Sequence, residues 1–188
     1  MSFEALNDID ITTASMDELD TLTVDQVLGG NLADIDLNQN LPDGVFIGII
    51  EDYDLKARGA NPDEDKKASL NLAVKVKVVH VVTCKDGSIE SETLVGRFHF
   101  QRYNLLYDFG KAGLAKLILG ILGVGFRDKK AVAEVGNNIA GILEELKSSK
   151  VPFGFTIANK SRGGYDNCDI VDKEQAFIPA EKAQEMLD

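Results

Sequence analysis

The sequence predicts a β-rich α+β domain in which five antiparallel strands form a partly open barrel, with helices inserted between the third and fourth strands. Three observations lead to this prediction. Apolar and polar residues alternate with a period of two over residues 70–79. The period becomes helical after residue 104, and short strand-like segments return after residue 150. A chain of 188 residues suffices for one domain with a core and an appendage.

The first three strands are predicted as a meander. The first begins after the turn sequence Pro-Asp-Gly at residues 42–44, and residues 59–67 have the composition of an exposed hairpin loop. The second carries apolar residues from Leu70 to Val78 on one face and lysines on the other. The third is predicted from Glu90 to Phe100 after an Asp-Gly turn. We expect its inward side chains to be Leu94, Phe98 and Phe100, and its outward side chains to be Arg97 and His99.

Helices and two further strands follow. One helix is predicted over residues 105–122, ended by Gly123, and a second over residues 131–147. The closing strands are predicted over residues 151–157 and 165–171. This order matches an OB-like five-stranded, partly open antiparallel barrel. A small antiparallel sheet covered by helices is the alternative.

Charge divides the chain into three parts. Residues 1–44 contain ten acidic residues and no Lys or Arg, residues 45–170 contain 18 basic and 16 acidic residues, and the formal net charge of the chain is -11. We therefore predict an acidic amino-terminal arm over residues 1–42, partly disordered or docked. The OB-like domain is predicted over residues 43–171, and an acidic carboxyl-terminal tail or short helix over residues 172–188.

The sequence argues against several classes of protein. It has no apolar run of membrane-spanning length and begins without a basic or apolar leader, so a cytoplasmic protein that does not bind membranes is expected. It has two cysteines and two histidines, none at metal-ligand spacing, and no glycine-rich phosphate loop follows a strand. We therefore predict a protein that is not an enzyme and needs no metal or cofactor.

Basic and aromatic residues alternate along the predicted barrel. Proteins that bind single-stranded nucleic acid combine cations along the backbone with aromatic rings on which bases stack. We expect Lys75, Lys77, Arg97 and Arg102 to contact phosphates and three tyrosines to stack. The full set of candidate DNA-binding residues is Tyr53, Lys56, Arg58, Lys75, Lys77, Arg97, Arg102, Tyr103, Lys160, Arg162 and Tyr165. A one-residue slip of register would exchange inward and outward side chains.

Five segments carry a resemblance to a known family. They are residues 41–51, the Leu-x-Leu-x-Val run from Leu70, residues 96–105 (Gly-Arg-Phe-His-Phe-Gln-Arg-Tyr-Asn-Leu), residues 114–118 and residues 164–170. Together they resemble the single-stranded DNA-binding proteins that tailed bacteriophages encode for replication and recombination, over about residues 43–171. The resemblance implies an OB fold, cooperative or dimeric binding of single-stranded DNA, and no cofactor.

The chain departs from this class in one respect. Many such proteins end in an acidic tail with a terminal aromatic residue, whereas the strongest acidic run here is amino-terminal. We expect the acidic termini to contact phage or host replication proteins, or the arm to compete with DNA for the basic groove. The predicted function is non-sequence-specific single-stranded DNA binding in the host cytoplasm, with a homodimer as one possible state. The alternative is a structural or interaction protein, either a virion component or an acidic inhibitor of a host protein, acting through the arm.

Overall fold

The computed structural model describes residues 40–59, 68–87, 89–162 and 165–188, with the backbone alone for residues 161–162 and 165–166. The predicted arm up to residue 39 and most of the predicted loop at residues 59–67 lie outside these residues. Residues Asn40–Asp188 form one unit.

The described residues form an antiparallel sheet with helices beside it. The elements are β1 (Gly44–Arg58), β2 (Ser69–Cys84), α1 (Ser91–Leu94), β3 (Phe98–Asn104), α2 (Asp108–Leu122), α3 (Lys129–Asn137), α4 (Ile139–Ser148), β4 (Pro152–Arg162), β5 (Tyr165–Ile170), a 3-10 turn (Glu174–Ala176), β6 (Phe177–Ile178) and α5 (Ala180–Glu185). The strand order is β3-β2-β1-β4-β5, and β6 pairs with β4. The β-rich α+β class and the helices between the third and fourth strands are confirmed. The predicted count of five strands is wrong, because a sixth strand is present, and the sheet is not closed into a barrel.

The prediction for the third strand is wrong in its start and in its faces. Residues 91–94 form the short helix α1, and Gly96 turns the chain with a φ of 87° before β3 begins. Leu94 reaches the core from that helix, so its position does not set the alternation of the strand. In β3 the buried side chains are His99, Gln101 and Tyr103, and the exposed ones include Phe98 and Phe100.

The helical region differs from the prediction in one place. The predicted helix over residues 131–147 is two helices, α3 and α4, because Asn138 between them leaves helical geometry (φ -138°, ψ 27°). Residues 172–188 contain the 3-10 turn, β6 and α5, and Phe177 is buried against Gly120 of α2. Among the described residues, no helix combines the length and the apolar character needed to cross a membrane.

Strong curvature of β1 shapes the sheet. The β1–β2 pairing shifts register at three places, and such bulges bend and twist a strand. At Gly48, beside one shift, a Cβ atom would lie 2.7 Å from Cγ1 of Val76 and 2.8 Å from the carbonyl oxygen of Lys77, so no larger residue fits. The sheet curls enough for the rings of His99 on β3 and Phe155 on β4 to stack, with centroids 6.3 Å apart. The core lies on the side of β2 that carries Val74, Val76 and Val78.

Candidate nucleic-acid interface

The side of β2 and β3 that faces away from the core presents aromatic and basic side chains together. Across the two strands Lys77 pairs with Phe98, Lys75 with Phe100 and Ala73 with Arg102. Val74, Val76 and Val78 occupy the buried side of β2, and this fixes its lysines on the opposite side. We call these six residues (Ala73, Lys75, Lys77, Phe98, Phe100 and Arg102) the outer face. Phe98 is 38% exposed and Phe100 is 55% exposed, although both are large apolar side chains.

A cation–π contact orders part of the outer face. The Nζ atom of Lys75 lies 3.8 Å from the centroid of the Phe98 ring. Such a contact contributes roughly 0.5–1 kcal/mol at an exposed site. The ammonium group lies over one face of the Phe98 ring, so a base that stacks on that face must displace it.

The outer face continues across β1 as a groove of about 400 Å³, lined in part by Asp52, Asp54, Lys56, Lys75, Phe100 and Arg102. Both carboxylates of this groove are paired with cations. Asp54 lies 3.0 Å from Nζ of Lys56, and Asp52 lies 3.0 Å from Nζ of Lys147 on α4. The hydrogen bond from Lys147 holds the pKa of Asp52 below its usual value. The pairing reduces the repulsion that these carboxylates exert on an approaching phosphate.

Two of the three predicted stacking tyrosines serve the fold. The hydroxyl of Tyr53 donates to Oε2 of Glu144 on α4 at 2.9 Å, and this bond raises the pKa of Tyr53. Lys147 covers the ring, with Nζ 5.4 Å from its centroid. Tyr103 is buried, and burial raises its pKa. Tyr103 is therefore not free to stack on a base, whereas Tyr53 is half-buried and lines the groove beside Phe100. The side chain of Tyr165 lies outside the described residues.

The predicted DNA-binding cations do not all lie on one surface of the protein. Lys75, Lys77 and Arg102 lie on the outer face, with Lys56 at the end of its groove. Arg58 is the exposed last residue of β1, and Nε of Arg97 donates to the carbonyl oxygen of Thr93 at 3.0 Å just before β3. Lys160 is exposed on β4 and lines a different cleft, while the Arg162 side chain is among those not described.

Sequence reasoning missed Phe98 and Phe100 as surface residues. The sequence shows that these rings alternate with His99, Gln101 and Tyr103. Because aromatic side chains are more often buried than exposed, the alternation alone predicts that the rings face the core. The signal that could have identified the correct face is the capacity of His99 and Gln101 to form a hydrogen bond to each other, which allows both side chains to be buried.

The inward side of β3 carries a polar cluster. Oε1 of Gln101 accepts hydrogen bonds from the backbone N–H of Ile170 on β5 (2.8 Å) and from Nε2 of His99 (3.1 Å). His99 therefore carries its proton on Nε2, and its Nδ1 faces Sγ of Cys168 at 3.8 Å. Burial lowers the pKa of His99 and raises that of Cys168, so both groups are held neutral.

The described residues contain no group of three His, Cys, Asp or Glu side chains placed to hold a metal ion. The chemistry that the outer face offers is contact through aromatic rings and cations. No protein-family model matches the sequence, and a comparison with curated proteins finds no significant match.

Proposed function

We propose that this protein binds single-stranded DNA without sequence preference through the outer face. The observation that carries the proposal is the exposure of Phe98 and Phe100 beside Lys75, Lys77 and Arg102. Every base has a π face, so stacking on these rings is independent of sequence, and the cations contact the sugar–phosphate backbone. Rings that project from a sheet need unstacked bases, which favours a single strand over a duplex.

We infer an OB-like architecture, which the strand arrangement supports. The first three strands form a meander, the helices precede β4, and β1 pairs with both β2 and β4. OB folds bind oligonucleotides on the face of their second and third strands. The outer face lies on β2 and β3, which agrees with this mode of binding.

A role in phage DNA replication or recombination, in the host cytoplasm, is the biological setting that we propose. It rests on the resemblance described above, whose segment at residues 96–105 includes the outer-face residues Phe98, Phe100 and Arg102.

Fluorescence anisotropy tests the function directly. We expect a labelled oligo(dT) of about 30 nucleotides to bind more tightly than a duplex, with an affinity that falls steeply as salt rises. The double variant F98A/F100A should weaken binding at least about 30-fold, because each stacked base contributes roughly 1–3 kcal/mol. The matched control is Leu122→Ala, which truncates an exposed apolar side chain of α2 (45% exposed) away from the strands.

Two results would overturn the proposal. One is the lack of single-strand binding at low salt, and the other is unchanged affinity in a folded F98A/F100A variant. The first result would favour the alternative class, an interaction protein that acts through its acidic arm. The second would show that single-stranded DNA binds to another face of the protein.

A further inference from the structure

A second cleft lies between the two edges of the curled sheet. Among the described residues no backbone ladder joins β3 to β5, and the side chain of Gln101 bridges them instead. Beside this bridge is a cleft of about 580 Å³, bounded by the second half of β3, the start of α2 and the segment that follows β5. We call it the edge cleft.

Phe109 gives the edge cleft an aromatic wall. Its side chain is 73% exposed, the largest value among the exposed large hydrophobic residues of the described chain. Its ring stacks on Tyr107, with centroids 5.4 Å apart and planes within 10° of each other. A planar base placed on the free side of Phe109 would extend this stack. Folding does not explain so exposed a ring, since it buries little apolar area.

The cations of the edge cleft outnumber its free carboxylates. Arg102, Lys160 and Lys173 line it, together with Asp169 and Asp172. Asp172 is already paired with Lys116, whose Nζ lies 2.8 Å from its carboxylate. The balance of charge therefore favours an anionic occupant over a neutral or basic one, and among anionic occupants the aromatic wall of Phe109 favours one with planar bases.

Arg102 connects the edge cleft to the outer face. Its side chain lines both the groove beside Phe100 and the edge cleft. Phe98, Phe100 and Arg102 follow one another on the same side of β3, about 7 Å apart from one to the next. An extended strand that follows these side chains is led past Arg102 to Phe109.

We propose that the edge cleft is a second subsite for the same single strand, in which Phe109 stacks on a base and Lys160 and Lys173 contact phosphates. This inference rests on the proposed function and adds a path of binding that bends around the edge of β3. It assigns Phe109 and Lys173, which the sequence did not single out as binding residues, to the interface.

Single-tryptophan fluorescence separates the two subsites, because the chain contains no Trp. The variants are Phe100→Trp for the outer face, Phe109→Trp for the edge cleft and Leu122→Trp as the control on α2. With an oligo(dT) of about 15 nucleotides, a length within the range that one OB fold covers, the first two should lose fluorescence and saturate at the same oligonucleotide concentration. The control should keep its fluorescence.

Salt dependence tests the two lysines. The variant K160A/K173A should reduce the slope of log affinity against log salt by about 1.4, since each phosphate contact on a single strand contributes roughly 0.7. The variant K129A/K130A on α3 makes the same change of charge outside both clefts and should retain the slope. An unchanged slope in K160A/K173A would show that Lys160 and Lys173 do not contact phosphates.

The outcomes for the two proposals are distinct. Quenching of Phe100→Trp without quenching of Phe109→Trp would overturn the second subsite and leave the proposed function standing. If the unaltered protein gives no anisotropy change and neither variant is quenched, the proposed function fails, and the subsite fails with it.

Discussion

The two sides of β3 differ in a way that reverses the usual pattern of a sheet. The side facing the core holds His99, Gln101 and Tyr103, whereas the exposed side holds two phenylalanines. Sheets with one wet face normally place apolar residues inward and polar residues outward. Two of the inward polar side chains contact the opposite edge strand: Gln101 accepts from the Ile170 N–H, and Nδ1 of His99 faces Sγ of Cys168. The outward rings keep 38% and 55% of their surface exposed, and a ligand that covers them would account for this exposure.

The first prediction sets the two sides of β3 against each other in stability. Gln101→Ala should lower the free energy of unfolding by about 2–3 kcal/mol, because it leaves the Ile170 N–H and Nε2 of His99 without their acceptor in a buried site. Phe100→Ala should lower it by about 1 kcal/mol or less, because the ring is 55% exposed and a cross-strand pair contributes roughly 0.2–1 kcal/mol. Urea denaturation of both variants measures the difference.

The proposed difference between the two sides of β3 would be wrong if the two variants lowered the free energy of unfolding equally. A Phe100→Ala variant as unstable as Gln101→Ala would mean that the outer ring supports the fold. Its exposure would then carry no functional argument.

The order of strands and helices was predictable because it depends on local periodicity. The alternation from Leu70 to Val78 is regular, and the helical period after residue 104 is long enough to be unambiguous. The face assignment of β3 was not predictable in this way. Leu94, which had fixed the expected alternation, enters the core from α1, and the positive φ of Gly96 separates it from the strand.

The sequence predicted four cations of the candidate site, but it did not predict the exposed aromatic rings of Phe98 and Phe100. The four cations are Lys56, Lys75, Lys77 and Arg102. Lys75 and Lys77 follow from the regular alternation of β2, where the valines must face inward. The role of Tyr53 depends on Glu144, which is 91 residues away in sequence. The burial of Tyr103 depends on the way that the sheet curls. Neither contact is encoded in a local pattern, so the structure was needed to identify Phe98 and Phe100 as the candidate stacking residues.

The second prediction sharpens the functional side of the comparison. Residues 1–39 contain nine acidic residues and no Lys or Arg, and their charge opposes that of the outer face. A chain that lacks residues 1–39 should bind oligo(dT) about tenfold more tightly at roughly 20 mM salt, with little gain at high salt, where screening is strong. The deletion must stop before Leu41, which is buried and whose carbonyl oxygen accepts a hydrogen bond from Nδ2 of Asn159.

Anisotropy of the two chains across a salt series measures this effect. Equal affinity at low salt would rule out competition between the arm and DNA. The acidic segment would then be left as a surface for contact with a protein.

The third and smallest predicted effect is the pH dependence of stability that His99 produces on the inward side of β3. Burial lowers the pKa of His99 below 6.5, so the unfolded chain binds this proton more readily than the folded chain does. The free energy of unfolding should therefore fall as the pH drops below about 6.5, by up to about 1 kcal/mol between pH 7.5 and 5.5. The hydrogen bond to Gln101 and the negative charge of Asp169 act in the opposite direction, and the loss of solvation on burial outweighs both. Phe155 carries no charge, and burial raises the pKa of the Cys168 thiol, so neither adds a charge beside the ring.

A pair of histidine variants isolates this contribution. His99→Gln keeps a hydrogen-bond donor near Gln101 and removes the titrating ring, so its stability should vary less between pH 7.5 and 5.5 than that of the unaltered protein. His80→Gln removes the other histidine, which is exposed on β2, and should keep the original dependence. Carboxylates such as Asp43, whose pKa is lowered by the hydrogen bond from the Asn159 backbone, titrate below this window. If His99→Gln retains the full pH dependence, the ring is not held neutral by burial. Such a result would contradict the contrast between the two sides of β3, in which the inward side chains are shielded from water and the outward ones are exposed.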